Sequence, residues 1–326
     1  MRRKALITGV TGQDGCYLSR FLLEKGYRVY GTVRPKGRSN VGNLRYLGIE
    51  KKIDLLETDL VKGDQIKKTV RTVKPDEIYN LAAMSSVAQS FQKPFETIEF
   101  NLSAMVDVLE AARLCAPKAR IYQASSGEMF GKSCRSPATE QTPFDPVSPY
   151  GISKVVCHWK AHHYRRMYKM FCACGILFNH ESVLRPGYFA TKKIIAAAVR
   201  IKNGSKEKLR LGNIRVKRDW GYAPEYVKAM WLMLQQKTPD DYILATHEAH
   251  SLEEFVRAAF RYLGLDWEKH VVVDKTLFRS SDIDVSCGNS KKAKVKLGWV
   301  YDLDFKDLVK FLIDEEIDYQ NYFKRT

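Results

Sequence analysis

The stretch KALITGVTGQDG, residues 4–15, decides the fold class. The apolar run KALIT is followed at once by three glycines in a G-x-x-G-x-x-G pattern and then by a stretch with helical periodicity. In this strand–turn–helix context the first glycine allows a tight turn, the second lets backbone amides approach a pyrophosphate, and the third lets the helix pack closely on the strand. The sequence therefore predicts a dinucleotide-binding turn formed by Gly9, Thr11, Gly12, Gln13, Asp14 and Gly15.

The alternation of short apolar runs with amphipathic stretches continues beyond this turn. It predicts strands at 4–9, 27–33, 52–58, 77–83, 119–125 and 172–178, separated by helices at 13–25, 63–73, 95–114 and 148–170. This pattern is typical of an α/β protein with a Rossmann-like, doubly wound parallel sheet. Later helices are predicted at 190–203, 224–236, 251–263 and 304–319, with a strand near 208–211.

The less regular second half predicts a smaller mixed α/β lobe that binds substrate. We expect residues 1–178 to form the cofactor-binding domain, with a return of the chain to it at about 215–246. Residues 179–214 and 247–326 would form the lobe. Ligands of open α/β sheets bind in the clefts that such arrangements create.

Composition narrows the class of protein further. The 326 residues are 45% hydrophobic and 28% charged, as in ordinary globular proteins. The formal net charge of +17 is spread along the chain without a nucleic-acid-binding motif, which favours solvated charge and small anionic ligands over nucleic acid. Seven scattered cysteines without a C-x-x-C pair predict neither a disulfide framework nor a metal site. The basic N-terminus lacks a signal pattern, and no apolar run approaches roughly 18 residues, so we expect a cytoplasmic protein without a membrane partner.

The residues after the second predicted strand indicate which dinucleotide binds. An acidic residue there would bind the ribose hydroxyls of NAD, but this chain has Arg34. Because a guanidinium pairs with a 2′-phosphate that a carboxylate would repel, the sequence predicts NADP. Lys36 and Arg38 could assist or could simply be solvated. Asp59, after the third strand, is a candidate for the adenine amino group or for a helix N-cap.

Two later segments, SSGE at 125–128 and SPYGISK at 148–154, carry the candidate catalytic residues. Tyr150 and Lys154 are four residues apart and fall on one helix face, where the ammonium favours the phenolate and lets the tyrosine exchange a proton with a sugar hydroxyl. Ser126 would hydrogen-bond the same oxygen. If its carboxylate lies near sugar carbon 5, Glu128 could remove the proton of that carbon once carbon 4 is a ketone, so that water could leave from carbon 6. A Tyr-x-x-x-Lys pair also occurs on ordinary amphipathic helices, and Glu128 could instead form an exposed salt bridge.

Together these segments resemble the extended short-chain dehydrogenase/reductases and, within them, the GDP-mannose 4,6-dehydratase family. The similarity covers nearly the whole chain, including 75–91, 122–131, 148–154, 211–236 and 296–299. GILFNHES at 175–182 and RDWG at 218–221 are its most specific blocks, because the glycine and Tyr/Lys motifs are shared by the whole superfamily.

The resemblance implies roles for individual residues. It places Ser126, Glu128, Tyr150 and Lys154 at the catalytic positions, and Leu60, Leu81, Ala82 and Ala83, with Tyr150 and Lys154, at the cofactor. It places Ser85, Ser126, Glu128, Asn179, Glu181, Arg185, Lys193, Arg218 and Arg279 at the substrate. For Asn179 and Glu181, capping of a strand end is the alternative.

Three segments depart from the family pattern. Ser126-Gly127 stands where the family has Thr-Ser. In the family, the segment that corresponds to residues 183–188 contains tandem arginines and an acidic residue, and this chain keeps only Arg185 of them. Residues 279–282 stand where the family has R-P-x-E.

The resemblance implies that a homodimer or homotetramer dehydrates a GDP-linked sugar to a 4-keto-6-deoxy sugar through bound NADP. The departures leave the sugar open between mannose, another hexose and a heptose. A 4-reductase, an epimerase, a nucleotide-sugar decarboxylase and, more remotely, a non-catalytic NADP-binding protein are the alternatives.

Overall fold

The computed structural model describes residues 2–35, 37, 39–134, 137–278 and 282–325. Within these residues the first part of the chain forms β1 (Lys4–Thr8), α1 (Gln13–Glu24), β2 (Arg28–Val33), α2 (Gly42–Tyr46), β3 (Asp54–Glu57), α3 (Gly63–Val73), β4 (Glu77–Asn80), α4 (Val87–Gln92), α5 (Pro94–Cys115), β5 (Arg120–Ser126), α6 (Pro149–Met167) and β6 (Cys172–Leu177). The rest forms β7 (Asn179–Glu181), α7 (Ala190–Lys202), β8 (Leu209–Leu211), β9 (Lys217–Arg218), β10 (Trp220–Tyr222), α8 (Ala223–Leu234), β11 (Asp241–Leu244), β12 (His250–Ser251), α9 (Leu252–Tyr262), β13 (Val271–Val273), β14 (Val285–Ser286), α10 (Lys291–Leu297) and α11 (Phe305–Arg325).

The central sheet has the strand order β3-β2-β1-β4-β5-β6-β11, and each neighbouring pair is parallel. The order reverses between β1 and β4, so the loops after these strands diverge and open a crevice at the carboxyl edge of the sheet. The predicted Rossmann-like α/β fold is confirmed.

Alternating residues of β1 serve two separate cores. Ala5 and Ile7 are buried in one hydrophobic cluster, whereas Leu6 is buried in the other. Because successive side chains of a strand point to opposite faces, each face of the sheet needs its own helical cover. Helices α1 and α8 pack together over the first cluster, and α3, α5 and α6 pack over the second.

Two differences from the sequence prediction affect the central sheet most. β4 ends at Asn80, three residues early, because the N–H groups of Leu81 and Ala82 donate to the side-chain hydroxyl of Thr8, at 3.1 and 3.2 Å, and not to a backbone carbonyl of β1. The chain also adds a seventh strand, β11, beside β6. The division into two domains stays a prediction.

The remaining elements form a third hydrophobic core around Trp220, Phe255 and Leu312. Here α11 packs against α7 and α9. Parallel pairing of β7 with β10 brings the segments 175–182 and 218–221 together, although about 40 residues separate them in the sequence. The two blocks that are most specific for the family resemblance therefore form one structural unit.

Helix α11 spans from this third core to the cofactor half. Near its middle, Glu316 forms a buried ion pair with Lys192 of α7. Towards its end, the Tyr319 hydroxyl donates to the side-chain oxygen of Asn43 at 3.3 Å, and the Tyr319 ring packs edge-on against Tyr46, 4.9 Å between centroids. The last turns of α11 therefore hold α2, which follows the loop that carries Arg34.

Among the described residues, no helix is long and apolar enough to cross a membrane.

Candidate active site

A cavity of about 750 Å³ lies at the carboxyl edge of the sheet, where the strand order reverses. The predicted residues that line it are Gly9, Thr11, Gly12, Gln13, Asp14, Gly15, Arg34, Asp59, Leu60, Leu81, Ala82, Ala83, Ser85, Ser126, Glu128, Tyr150, Lys154, Asn179 and Arg185. Glu181, Lys193 and Arg218 are absent from the lining, and Arg279, Lys36 and Arg38 lie outside the described residues. One cavity thus joins the glycine turn to the Tyr/Lys pair.

The glycine turn leaves room for a phosphate at the start of α1. Gly9 has a φ of 71°, which favours glycine, and a Cβ on Gly15 would lie 2.4 Å from the Gly9 carbonyl oxygen. Gly12 occupies the N-cap of α1 without a side-chain cap, so the first N–H groups of this helix stay available at the cavity. Such a helix N-terminus binds anions, and this turn therefore fits a dinucleotide pyrophosphate.

The adenosine end of the cavity is formed by the loops after β2 and β3. The backbone N–H of Arg34 donates to the Ser39 hydroxyl at 2.8 Å, and the exposed Arg34 side chain lines the cavity. The N-cap alternative for Asp59 is wrong, because α3 begins at Gly63 with Lys62 as its N-cap. Asn43, which sequence reasoning missed, also lines this end and donates to the Thr11 carbonyl at 3.4 Å.

Helix α6 positions the Tyr/Lys pair. It begins after Ser148, whose hydroxyl accepts the Gly151 N–H at 3.0 Å. Tyr150 and Lys154 are almost fully buried, and Lys154 Nζ lies 5.8 Å from the Tyr150 ring centroid. The same ammonium donates to the Ala124 carbonyl of β5 at 2.8 Å, which fixes its direction. Side chains four residues apart on α6 therefore converge at the end of β5.

Ser126 and Glu128 meet this pair from the turn that follows β5. The Ser126 hydroxyl accepts the Glu128 N–H at 3.2 Å. Between them, a Cβ on Gly127 would lie 3.1 Å from the Phe178 ring, so a larger residue would require the ring to shift. This contact gives a packing reason for glycine in the Ser126-Gly127 departure.

A hydrogen-bonded network behind the site, also missed from the sequence, is centred on Asn101 of α5. Its side-chain oxygen accepts the Met84 N–H at 2.8 Å, and its amide donates to the Ser153 hydroxyl at 2.9 Å. Ser153 in turn donates to the Tyr150 carbonyl at 2.7 Å. Asn101 thus ties the loop after β4 to the first turn of α6.

Asp14 and His180 form an ion pair that connects the glycine turn to β7. His180 Nε2 lies 3.0 Å from both Asp14 carboxylate oxygens, and Nδ1 donates to the Phe178 carbonyl at 2.8 Å. Burial alone would raise the pKa of Asp14, but the His180 charge and hydrogen bonds lower it to about 2. Burial alone would lower the pKa of His180, but the Asp14 charge raises it above its usual value. The histidine is therefore a cation with both ring nitrogens donating.

We expect His180→Asn to destabilise the protein by about 3 kcal/mol, the lower end of the range for removing one partner of a buried pair, because Asp14 remains partly exposed. The folded-state pKa of Asp14 is lowered. Asp14 therefore stabilises the protein fully above about pH 3.8 and loses this effect as the pH falls through about 2. The folded-state pKa of His180 is raised. His180 therefore stabilises the protein fully below about pH 6.5 and loses this effect as the pH rises through its folded-state pKa. Urea unfolding at several pH values should show the largest difference from wild type between about pH 4 and 6.5. A difference that does not change with pH would contradict this assignment, and the exposed His163→Asn is the control.

The substrate end of the cavity is shaped by Arg185. Its Nε lies 3.3 Å from a Glu181 carboxylate oxygen, and its guanidinium lies over the Phe189 ring at 3.9 Å. Glu181 is buried and also accepts a hydrogen bond from Thr191 at 2.6 Å, so it supports Arg185 from behind. Lys193 donates to the Arg210 carbonyl at 2.7 Å. The substrate-binding roles of these residues stay predictions.

Solved structures share this fold over nearly the whole chain. A UDP-glucose 4-epimerase from Thermotoga maritima matches with a TM-score of 0.87 at 20% identity, covering 97% of this chain and 99% of the epimerase. A dTDP-glucose 4,6-dehydratase from Streptomyces venezuelae matches with a TM-score of 0.87 at 20% identity, covering 98% of both chains. The sheet, the glycine turn and the Tyr/Lys helix define the class of the protein, an extended short-chain dehydrogenase/reductase.

Within this class the chain belongs to the GDP-mannose 4,6 dehydratase family, whose model matches residues 6–312. GDP-mannose 4,6 dehydratase 1 of Arabidopsis thaliana is 45% identical over 327 residues, covering 97% of this chain and 90% of the relative. The human GDP-mannose 4,6 dehydratase is 40% identical over 342 residues, covering 97% of this chain and 92% of the human protein. That of Sinorhizobium fredii is 38% identical over 342 residues, covering 98% and 97%. The family resemblance is confirmed.

Proposed function

We propose that this protein is a nucleotide-sugar 4,6-dehydratase that converts a GDP-linked sugar into its 4-keto-6-deoxy form with a tightly held NADP. The observation that carries the proposal is the single cavity in which the glycine turn, Tyr150 and Glu128 meet. A site that only oxidises the sugar needs the glycine turn and Tyr150. A carboxylate in the same space adds a group that can move a proton at carbon 5.

The chain's own residues account for the proton transfers. When bound, the nicotinamide supplies a hydride acceptor that later returns the hydride to the sugar. Tyr150 takes the proton of the carbon 4 hydroxyl, while Lys154, 5.8 Å from its ring centroid, stabilises negative charge on the phenol oxygen. The Ser126 hydroxyl holds the oxygen of carbon 4. Glu128 removes the carbon 5 proton, which the ketone has made acidic, and protonates the hydroxyl that leaves carbon 6 as water. When carbon 6 receives the hydride, the proton that Tyr150 took from the carbon 4 hydroxyl is passed on to carbon 5, so Tyr150 and Glu128 both regain their starting forms.

Arg34 supports NADP over NAD, because it is exposed at the adenosine end of the cavity, where a 2′-phosphate would lie. Arg34→Asp should weaken NADPH binding by about 10- to 100-fold, the loss of a charge-assisted hydrogen bond, and should change NADH binding little. Fluorescence titration of the two reduced cofactors measures the difference. Arg71→Asp makes the same charge change on the exposed face of α3, outside the cavity lining, and is the control. Equal losses in both variants would argue against NADP recognition by Arg34.

The sugar is set by the part of the cavity next to Arg185 and Tyr188, inside the segment 183–188 that departs from the family pattern. GDP-mannose, a related GDP-hexose and a GDP-heptose are the candidates. Incubation of the purified enzyme with each sugar and a catalytic amount of NADP should yield a product lighter by one water, with no net change in NADPH. Isomerisation without loss of water would indicate an epimerase. Consumption of added NADPH with a 4-keto GDP-sugar would indicate a 4-reductase. If the GDP-hexoses and the GDP-heptose all remain unchanged, the proposed function is wrong.

We also infer a homodimer or homotetramer, because α5 and α6 pack side by side and expose large apolar side chains. Phe95, Trp159 and Met167 are 70%, 61% and 66% exposed. Large apolar side chains exposed on two neighbouring helices favour association. Light scattering during size-exclusion chromatography gives the mass directly, and a monomeric mass would contradict the inference. The cytoplasmic setting stays a prediction.

A further inference from the structure

We propose that His158, His162 and Asp241 form a binding site for one divalent transition-metal ion, zinc or a zinc-like cation, between α6 and β11. The site is separate from the cofactor cavity, and it stands whether or not the chain is a dehydratase. Sequence reasoning missed it because Asp241 lies 79 residues beyond His162, and only the pairing of β11 with β6 brings the carboxylate beneath the helix.

The ligand geometry comes from one helix face and one strand end. The two histidines are four residues apart on α6, so their rings lie on the same face, with centroids 4.6 Å apart. The three ligand atoms lie within 4.8 Å of one another. Two imidazole nitrogens at this spacing with one carboxylate oxygen are a ligand set that zinc prefers.

The distances suit an ion after one small movement. His158 Nε2 lies 3.9 Å from Asp241 Oδ2, too far for a hydrogen bond, while zinc bonds to nitrogen and oxygen are each about 2.0–2.2 Å long. His162 Nε2 is closer, 2.5 Å from the same oxygen, and must move away. The His162 side chain is 37% exposed, so a change of rotamer can provide both the space and an entry path for the ion.

Neighbouring groups orient the ligands. Ser125 Oγ lies 2.9 Å from His158 Nδ1. If Nδ1 donates to this hydroxyl, the lone pair of Nε2 faces Asp241, which is the arrangement that usually prepares a histidine for metal binding. The guanidinium of Arg165 donates to the other carboxylate oxygen, Oδ1, at 2.6 Å and reaches Oδ2 only at 3.4 Å, so its stronger hydrogen bond leaves a lone pair of Oδ2 for the ion.

The ligand atoms indicate the class of ion, because two of the three are imidazole nitrogens. Nitrogen-rich sites of this kind bind zinc, cobalt, nickel or copper, whereas magnesium and calcium require mostly oxygen ligands. Three protein ligands leave a fourth position for water. Ser125, the hydrogen-bond partner of His158, also lines the catalytic cavity beside Ser126. His158 and Ser125 would therefore connect the ion to the catalytic cavity.

Cobalt(II) titration of the metal-stripped, tag-free holoenzyme tests the proposal. We expect the ligand-field absorption of a low-coordinate cobalt ion to saturate at one ion per chain and to disappear when zinc is added. His162→Gln should weaken binding by at least about 100-fold, because it removes a direct ligand. His163→Gln, the next residue on α6 but exposed and outside the cluster, should bind like wild type.

His162→Gln leaves the Asp241–Arg165 pair in place, and an unchanged unfolding temperature will show that the variant folds. Wild type without saturable cobalt binding would overturn the proposal and identify the cluster as a hydrogen-bonded charge network only. Equal losses in the His162 and His163 variants would also overturn it. Neither result depends on the sugar chemistry, because binding is read from the absorption of the metal.

Discussion

Glu128→Gln is expected to lower the rate of dehydration by about 10²- to 10⁴-fold, the usual contribution of a positioned acid–base group. The amide keeps the shape of the side chain but cannot take the carbon 5 proton. Because oxidation at carbon 4 precedes this step, the variant should still oxidise the sugar. With stoichiometric NADP and substrate, the near-ultraviolet absorbance of reduced nicotinamide should rise and persist.

The matched control is Glu99→Gln, on the exposed side of α5 and outside the cavity lining, which should retain wild-type turnover. If Glu128→Gln also retains wild-type turnover, Glu128 is not the base of the elimination. If its nicotinamide absorbance never rises, Glu128 acts before or during oxidation, and its assigned step is wrong.

Tyr150→Phe should reduce the reaction by at least about 10³-fold and, in contrast to Glu128→Gln, should give no rise in nicotinamide absorbance. Without the phenol oxygen, nothing takes the proton of the carbon 4 hydroxyl as the hydride leaves. NADPH affinity should change little, because Lys154 and the glycine turn remain. Tyr164→Phe removes a hydroxyl from the same helix, where it donates to Glu110 at 2.7 Å, and should keep its activity. A Tyr150→Phe enzyme that still reduced NADP would contradict the assignment of the proton acceptor.

The cofactor half of the fold could be predicted from the sequence because its signals are local. The glycine turn and α1 depend on residues adjacent in the chain, and the helix that carries Tyr150 and Lys154 has its own N-cap, Ser148. The strands β9, β10 and β12 could not be predicted, because two or three residues are too few to show a period of two.

The contacts that complete the site are long-range. Asp14 and His180 are 166 residues apart, and nothing in the spacing of either indicates the other. Asn101 looks like one polar position on an amphipathic helix until the structure places it between Met84 and Ser153. The resemblance supplied Glu181 as a substrate ligand, whereas the structure buries it behind Arg185. Sequence patterns identify which residue types are present at the site but not which of them reach the cavity.

The position of α11 has a consequence for how the protein is made. Its last turns hold Asn43 and Tyr46 beside the cofactor loop, yet they lie about 275 residues later in the chain. During synthesis the sheet strands β1 to β6 leave the ribosome long before this helix exists. The nascent chain can therefore assemble its cofactor half early but must wait for α11 before that half is fully braced. Capture of the nicotinamide cofactor on the ribosome should therefore stay weak until α11 has been made.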